Sequence, residues 1–300
     1  VETVIDKRLN ELTKKMGYWV DMENPYITYK PKYIESVWWL LKNLFNKGLI
    51  YKGYTIQPYS PKAGTGLSSH ELNQPGTYQD VTDTTVTAQF KAINTTLPDS
   101  IQQGDSVYFL AWTTTPWTLP SNTALAVGKK IDYLLIGTLN QYTGKAITVV
   151  IAKDLAPKYF NPNNAELKFE DYKIGDRNIP YSVSSEFKGR DLKDLKYEQL
   201  LKYAQPEDGD AFRMLTADFV TTEDGTGIVH LAPSFGADDN RVAKQNGIGS
   251  LTLVDKQGKF VKEVSDFAGM YVKDEFYSED EEKPKLSVDV QIVIKLKEEN

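Results

Sequence analysis

The sequence predicts an α+β, β-rich fold, a mixed β-barrel-like domain with peripheral helices and an N-terminal helical segment. Three observations predict it. Apolar residues recur at helical spacing through two stretches within the first fifty or so positions of the 300-residue chain. After Tyr54 the texture changes to short β-prone runs between Gly, Pro, Asn and Asp. A hydrophobic content of 40% supplies enough apolar surface for a packed core, which excludes a largely disordered chain.

Residues 1 to 16 place Val1, Ile5, Leu9, Leu12 and Met16 on one helical face, and Gly17 is placed to end that helix. A second helix is expected in "PKYIESVWWLLKNLFNKG", with Pro31 in its first turn and Gly48 at its end. Its stripe of Ile34, Val37, Trp38, Leu41, Leu44 and Phe45 suits a core or a docking face.

The runs "TVTAQF", "SVYFLAW", "YLLIGTL", "AITVVIA", "AFRMLTADFV" and "TGIVHLA" read as strands. Short helices are expected near "DDNRVAKQNG" and in "DLKDLKYEQLLKYA". Many short strands with few helices suggest a closed or nearly closed barrel. The acidic run from 273 to 285 reads as an exposed connector. Beyond it, Leu286, Val288, Val290, Ile292, Ile294 and Leu296 alternate as in a strand. Yet Ser287 would also cap a helix, and periodicity leaves both open.

Composition narrows the function. Without cysteine there is neither a disulfide nor a thiolate zinc site, as suits a reducing cytoplasm. A net charge of −6 argues against a general nucleic-acid coat. Nucleic-acid contact would be local, through lysines such as Lys129 and Lys130. No apolar run nears the ~20 residues that span a bilayer, so no membrane partner is expected. The opening "VETVIDKRLNEL" has neither initiator methionine nor signal core and reads as an internal cut from a longer protein.

Two stretches carry chemistry. In "AWTTTPWTLPSN" (111 to 122), the threonines close a strand, and Pro116 holds Thr115 extended. Thr113 and Thr115 then share a face while Thr114 points away. Their hydroxyls both donate and accept, which suits sugar hydroxyls, esters and water. In "EDGTGIVHLAPSFGADDNRVA" (223 to 243), a tight turn leads to a strand bearing Ile228, His230 and Ala232 on one face. A helix then opens at Asp238 and Asp239. A carboxylate in a first helical turn is favoured in its ionised form and suits a ligand ammonium, although one of the two is expected to act as an N-cap. "SSHE" sets Ser69 beside His70, but neighbours in sequence rarely meet as nucleophile and base. The two histidines lack ligand spacing, so no metal site is expected, and no phosphate-binding glycine loop occurs.

Together, "WTTTPWTLPSNTALAV" and "GTGIVHLAPSFGADD" resemble the paired signatures of the editing domain, the connective-peptide insertion, of isoleucyl-tRNA synthetases. "GYWVDMENPYITYKPKYIESVWWLLKNLFNKGLIYKG" is similar to the stretch leading into that insertion, and "GLSSHELNQPGTYQDVTDTTV" to its early loop region. Valyl and leucyl relatives usually carry "TTRP" where this chain has Thr115 before Pro116. Signatures of the HIGH and KMSKS types are absent, so the resemblance implies the insertion without the aminoacylation site. It also implies a division into a helical segment (1–53), an editing domain (54–284) and a return segment toward the catalytic body (285–300). Many relatives read "YCPRCGT" where this chain has "YSPKAGT". Ser60 and Ala63 stand for two cysteines, and a zinc knuckle there is not expected.

The resemblance implies an aminoacyl-tRNA deacylase that hydrolyses Val-tRNA(Ile), and valyl-adenylate as well, made in error by the synthetic site. Its partners would be the tRNA(Ile) 3′ end carrying valine, valyl-adenylate and the rest of the synthetase. No cofactor is expected in this segment; ATP and magnesium would serve only the parent enzyme. By the same resemblance Asp239 holds the substrate's α-amino group, and Thr113, Thr114 and Thr115 bond the terminal adenosine, the ester and the attacking water. Trp117 walls the site, Asn122 and Asp238 add polar contacts, and His230 narrows the side-chain pocket against isoleucine. Two other classes stay open: a tRNA-docking module without activity, and an unrelated β-barrel hydrolase built on Ser69 and His70.

Overall fold

A computed structural model of the protein describes residues 2–94, 97, 98, 101 and 106–299. They form two compact units, Val1–Tyr54 and Thr55–Asn300. The first holds α1 (Glu2–Lys15) and α2 (Pro31–Asn46), close to the bounds their apolar spacing predicts. Pro31 sits where its missing N–H costs nothing. Gly48 ends α2 in the left-handed region at φ 70°, which lets the Leu49 N–H reach back to the Leu44 carbonyl at 3.0 Å. No residue of α2 is buried; Trp38 and Trp39 are 69% and 65% exposed.

The second unit begins with a hairpin of β1 (Tyr59–Ser60) and β2 (Thr65–Gly66), then α3 (Ser69–Leu72). At the hairpin turn the Ala63 N–H donates to Ser60 Oγ at 3.2 Å, so the serine hydroxyl ties the loop internally. Next come β3 (Val86–Lys91), β4 (Val107–Thr113), a 3-10 turn over Pro116–Ser121, β5 (Ala124–Val127), β6 (Asp132–Leu139) and β7 (Ala146–Ala152). They are followed by α4 (Ala156–Tyr159), β8 (Tyr181–Lys188), β9 (Arg213–Thr216), β10 (Ile228–Leu231), α5 (Ala237–Gln245) and α6 (Val288–Glu299).

The fold is α+β and β-rich, as expected, but no sheet closes among the described residues. A five-stranded sheet runs β3-β4-β7-β6-β8, with β4 and β7 parallel. A three-stranded sheet runs β10-β5-β9, antiparallel on one side of β5 and parallel on the other. The larger sheet stays open because β8 is largely solvent-exposed and serves as an edge, not a seam. Strand β5 shows why "ALAV" carries no polar alternation: it is covered on both faces. Leu125 and Val127 join the core under the large sheet, with Phe90, Phe109 and Met214. Ala124 and Ala126 face Leu215, Leu231, Val242 and Ala243, where α5 packs.

Two expectations are settled differently by tertiary structure. Of "DLKDLKYEQLLKYA" (191–204), only Asp191 and Leu192 are helical, as the end of a 3-10 turn over Gly189–Leu192. Asp194 adopts φ 66°, Tyr197 bridges Ala92 and Lys196 bridges Arg213, so strand-like pairing overrides the helical spacing. The ambiguous end is a helix, α6, whose Val288, Ile292 and Leu296 enter the core at intervals of four. The 273–285 run is exposed from Ser278 to Lys283 and at Glu275 and Lys285, while Lys273, Asp274, Phe276, Tyr277 and Pro284 are partly covered.

Candidate functional site

Strand β4 ends at Thr113, and the chain leaves it extended before Pro116 opens the 3-10 turn. Thr113 is buried, Thr114 exposed and Thr115 half-buried, the alternation an extended backbone imposes. Thr113 Oγ1 accepts the Thr115 N–H at 3.1 Å, and the two hydroxyl oxygens lie 3.2 Å apart. Thr118, one turn further, donates its hydroxyl to the Thr115 carbonyl at 2.9 Å.

The second wall comes from β10. Its register pairs His230 with Leu125 and Leu231 with Ala124, which places the imidazole beside Asn122 and Thr118. Burial pulls the His230 pKa down to about 4, so the ring is neutral near pH 7 and carries one N–H. Asn122 decides which nitrogen carries it. Its Nδ2 donates to the Ala124 carbonyl at 2.9 Å and faces the Leu231 carbonyl at 3.4 Å, so this side of the amide must be the nitrogen. The same Nδ2 lies 3.2 Å from His230 Nδ1, which is therefore the acceptor. Nε2 then carries the proton and donates to Thr118 Oγ1 at 2.8 Å. Beneath Asn122, the fully buried Tyr197 hydroxyl donates to Oδ1 at 2.6 Å. Burial raises that phenol's pKa well above its ordinary value, which keeps it a donor.

Asp239 supplies the charge. It is the third residue of α5, and Oδ2 reaches back past the helix start to accept the Ala232 N–H at 2.9 Å. Gly236 makes this possible, because a Cβ there would stand 2.6 Å from the carboxylate carbon. Burial raises the Asp239 pKa, against the Ala232 N–H that favours the anion. Neither acidic residue caps α5 with its side chain, contrary to expectation; Gly236 holds the cap position.

Thr113, Thr114, Thr115, His230 and Asp239 line one cleft of about 360 Å³, together with Trp112, Thr118, Phe235 and the Gly225–Ile228 turn. Three expected contacts fall outside it. Trp117 turns toward the core and meets Phe235 edge-on at 4.9 Å, so Phe235 is the aromatic wall and Trp117 its support. Asn122 is buried behind His230 and orients it. Asp238 is exposed and pairs with Arg241 at 2.7 Å, because adjacent helical residues face different ways. Ser69 and His70 lie exposed on α3, away from the cleft. Thr118 and Tyr197 were not singled out from the sequence. Thr118 stands inside the quoted motif at a helical offset from Thr115, whereas nothing near Tyr197 signals its role.

Comparison with known proteins places this architecture. The family of class I tRNA synthetases (I, L, M and V) matches residues 2–262, and the chain belongs to it. Within that family its relatives are isoleucine–tRNA ligases. It is 56% identical to that of Cytophaga hutchinsonii over 97% of this chain and 27% of the relative. It is 59% identical to that of Bacteroides fragilis over 95% of this chain and 24% of the relative. The chain thus spans about a quarter of the length of these relatives. The likeness to isoleucyl-tRNA synthetases drawn from the two motifs is borne out. Among solved structures, the editing domain of the P. knowlesi cytosolic leucyl-tRNA synthetase aligns with a TM-score of 0.38 at 13% identity, over 52% of this chain and 60% of that one. No helix among the described residues is long and apolar enough to cross a membrane.

Proposed function

We propose that the cleft edits aminoacyl-tRNA, hydrolysing the ester of valine mischarged to tRNA(Ile), and valyl-adenylate by the same chemistry. The observation that carries this reading is the convergence of a partly buried carboxylate, a ladder of neutral hydroxyls and a buried neutral imidazole on one cleft. Asp239 binds the α-ammonium of the substrate, a charge-assisted contact strengthened by partial desolvation. Thr113, Thr114 and Thr115 hold the ribose edge and a water. The water oxygen attacks the carbonyl carbon, the bond to the ribose oxygen breaks, and that oxygen takes up a proton. The aminoacyl ester is already activated, so positioning the water ~3–3.5 Å from the carbonyl supplies the acceleration without a protein nucleophile.

His230 sets the size limit. Its ring is locked by Asn122 and Thr118, so the wall cannot yield to an extra methylene, a difference worth about 1–3 kcal/mol in a well-packed pocket. The division into a leading segment, an editing domain and a return segment, with ATP and magnesium serving only the whole synthetase, belongs to the same proposal. The test is deacylation of Val-tRNA(Ile) and Ile-tRNA(Ile) by this chain. Faster release of valine than of isoleucine supports the reading, and rates equal to spontaneous hydrolysis for both overturn it. His230→Ala should extend hydrolysis to Ile-tRNA(Ile).

A further inference from the structure

The turn that carries the threonine ladder is held from the far end of the chain. Asp289, the second residue of α6, is 3% exposed, and its Oδ1 accepts the Trp117 N–H at 2.8 Å across 172 residues of sequence. Its Oδ2 accepts from Lys273 Nζ at 3.1 Å, and Lys273 also donates to Asp83 at 2.6 Å. The local sequence explains why an outside acceptor is needed. Thr115 flanks the 3-10 turn without capping it, and Pro116 has no N–H, so Trp117 offers the first unpaired amide. The same carboxylate lies in the first turn of α6, where the helix dipole favours an anion. One side chain therefore serves the starts of two elements.

Burying an ion pair is an inefficient way to add stability, since apolar side chains of the same volume often do as well or better. What the carboxylate supplies and an apolar group does not is a directed acceptor. We infer that Asp289 is a positioning residue for the cleft: from α6 it fixes the Pro116–Ser121 turn. It thereby places Thr115 against Thr113, and Thr118 against His230. The inference rests on the proposed editing reaction for its kinetic consequence, but the contact itself is measurable without substrate.

The test compares Asp289→Ala, Asp289→Asn and Lys273→Met in this chain. Asp289→Ala removes the acceptor, and kcat for valine release per folded molecule should fall roughly 10- to 100-fold, as expected for sub-ångström misplacement of a positioned group. KM should change far less, because Asp239 and the cleft walls remain. Asp289→Asn keeps an oxygen for the Trp117 N–H and should retain most of kcat. Lys273→Met leaves the carboxylate untethered and should lose part. Amide hydrogen exchange, read on the free proteins, should show Trp117 protection lost in Asp289→Ala, kept in Asp289→Asn and reduced in Lys273→Met. If Asp289→Ala does not fold, the other two variants still decide. The inference is overturned if the folded variants keep wild-type kcat while only the melting temperature drops, or if Trp117 protection is the same in all. An unaltered chain that fails to release valine would sink the editing reading alone, and the exchange data would then decide the role of Asp289 by themselves.

Discussion

Acidification should weaken this fold through one buried ring. His230 has its pKa pulled from 6.5 to about 4 by burial, with Asn122 donating to the nitrogen that would have to take the second proton. The unfolded chain binds that proton near pH 6.5 and the folded one only near 4. Between those values the unfolded state holds more protons, and stability is lost as pH falls through the window. Near pH 4.5 the difference amounts to roughly 2–3 kcal/mol. The assay is urea denaturation of the wild type and of His230→Gln at pH 7, 6, 5 and 4.5. Asp239 and Asp289 titrate in both proteins, their carboxyls raised by burial, so subtracting the two curves isolates the ring. The wild type should lose roughly 2–3 kcal/mol more than the variant over this range. Parallel curves would show that His230 takes up its proton without penalty, and the locked-wall argument would fall with it.

Other substitutions probe the remaining parts. Asp239→Ala should cut kcat/KM for valine release by roughly 10- to 150-fold, the worth of a charge-assisted hydrogen bond, with the fold intact by circular dichroism. Tyr197→Phe leaves the Asn122 carbonyl oxygen buried without its donor. It should cost about 1–3 kcal/mol in denaturation and shift the His230 nitrogen resonances as the Nε2–H tautomer loses its support. Gly227→Ala should destabilise by about 2–5 kcal/mol, because Gly227 adopts φ 75° and an added Cβ would stand 2.4 Å from the Ala152 Cβ.

The parts of the molecule that local chemistry decides were legible in its sequence. The stop at Gly48, the alternation of Thr113, Thr114 and Thr115, and the helix opening at Ala237 each follow from one or two residues. What escaped was set by long-range pairing. Residues 191–204 have helical spacing, yet Tyr197 is claimed by Ala92 and by the Asn122 amide, far away in sequence. Asn122 and Trp117 sit inside the motif but face the interior, because the 3-10 turn rotates them away from the threonine face. Asp239 and Asp238 are adjacent and identical in type, and the folded chain distinguishes them by giving Asp239 the Ala232 N–H and Asp238 the Arg241 guanidinium.

The two walls of the cleft have different histories in the folding chain. Thr113 hangs from a strand of the five-stranded sheet, and His230 from the edge of the other, with β5 joining its two neighbours only after more than eighty intervening residues have been threaded. Neither sheet alone forms a pocket. Pairings this distant in sequence close slowly, so the assembled cleft should form after the local turns and helices. Under the proposed editing reaction, regain of hydrolysis would time the final step of assembly, with local structure ahead of it.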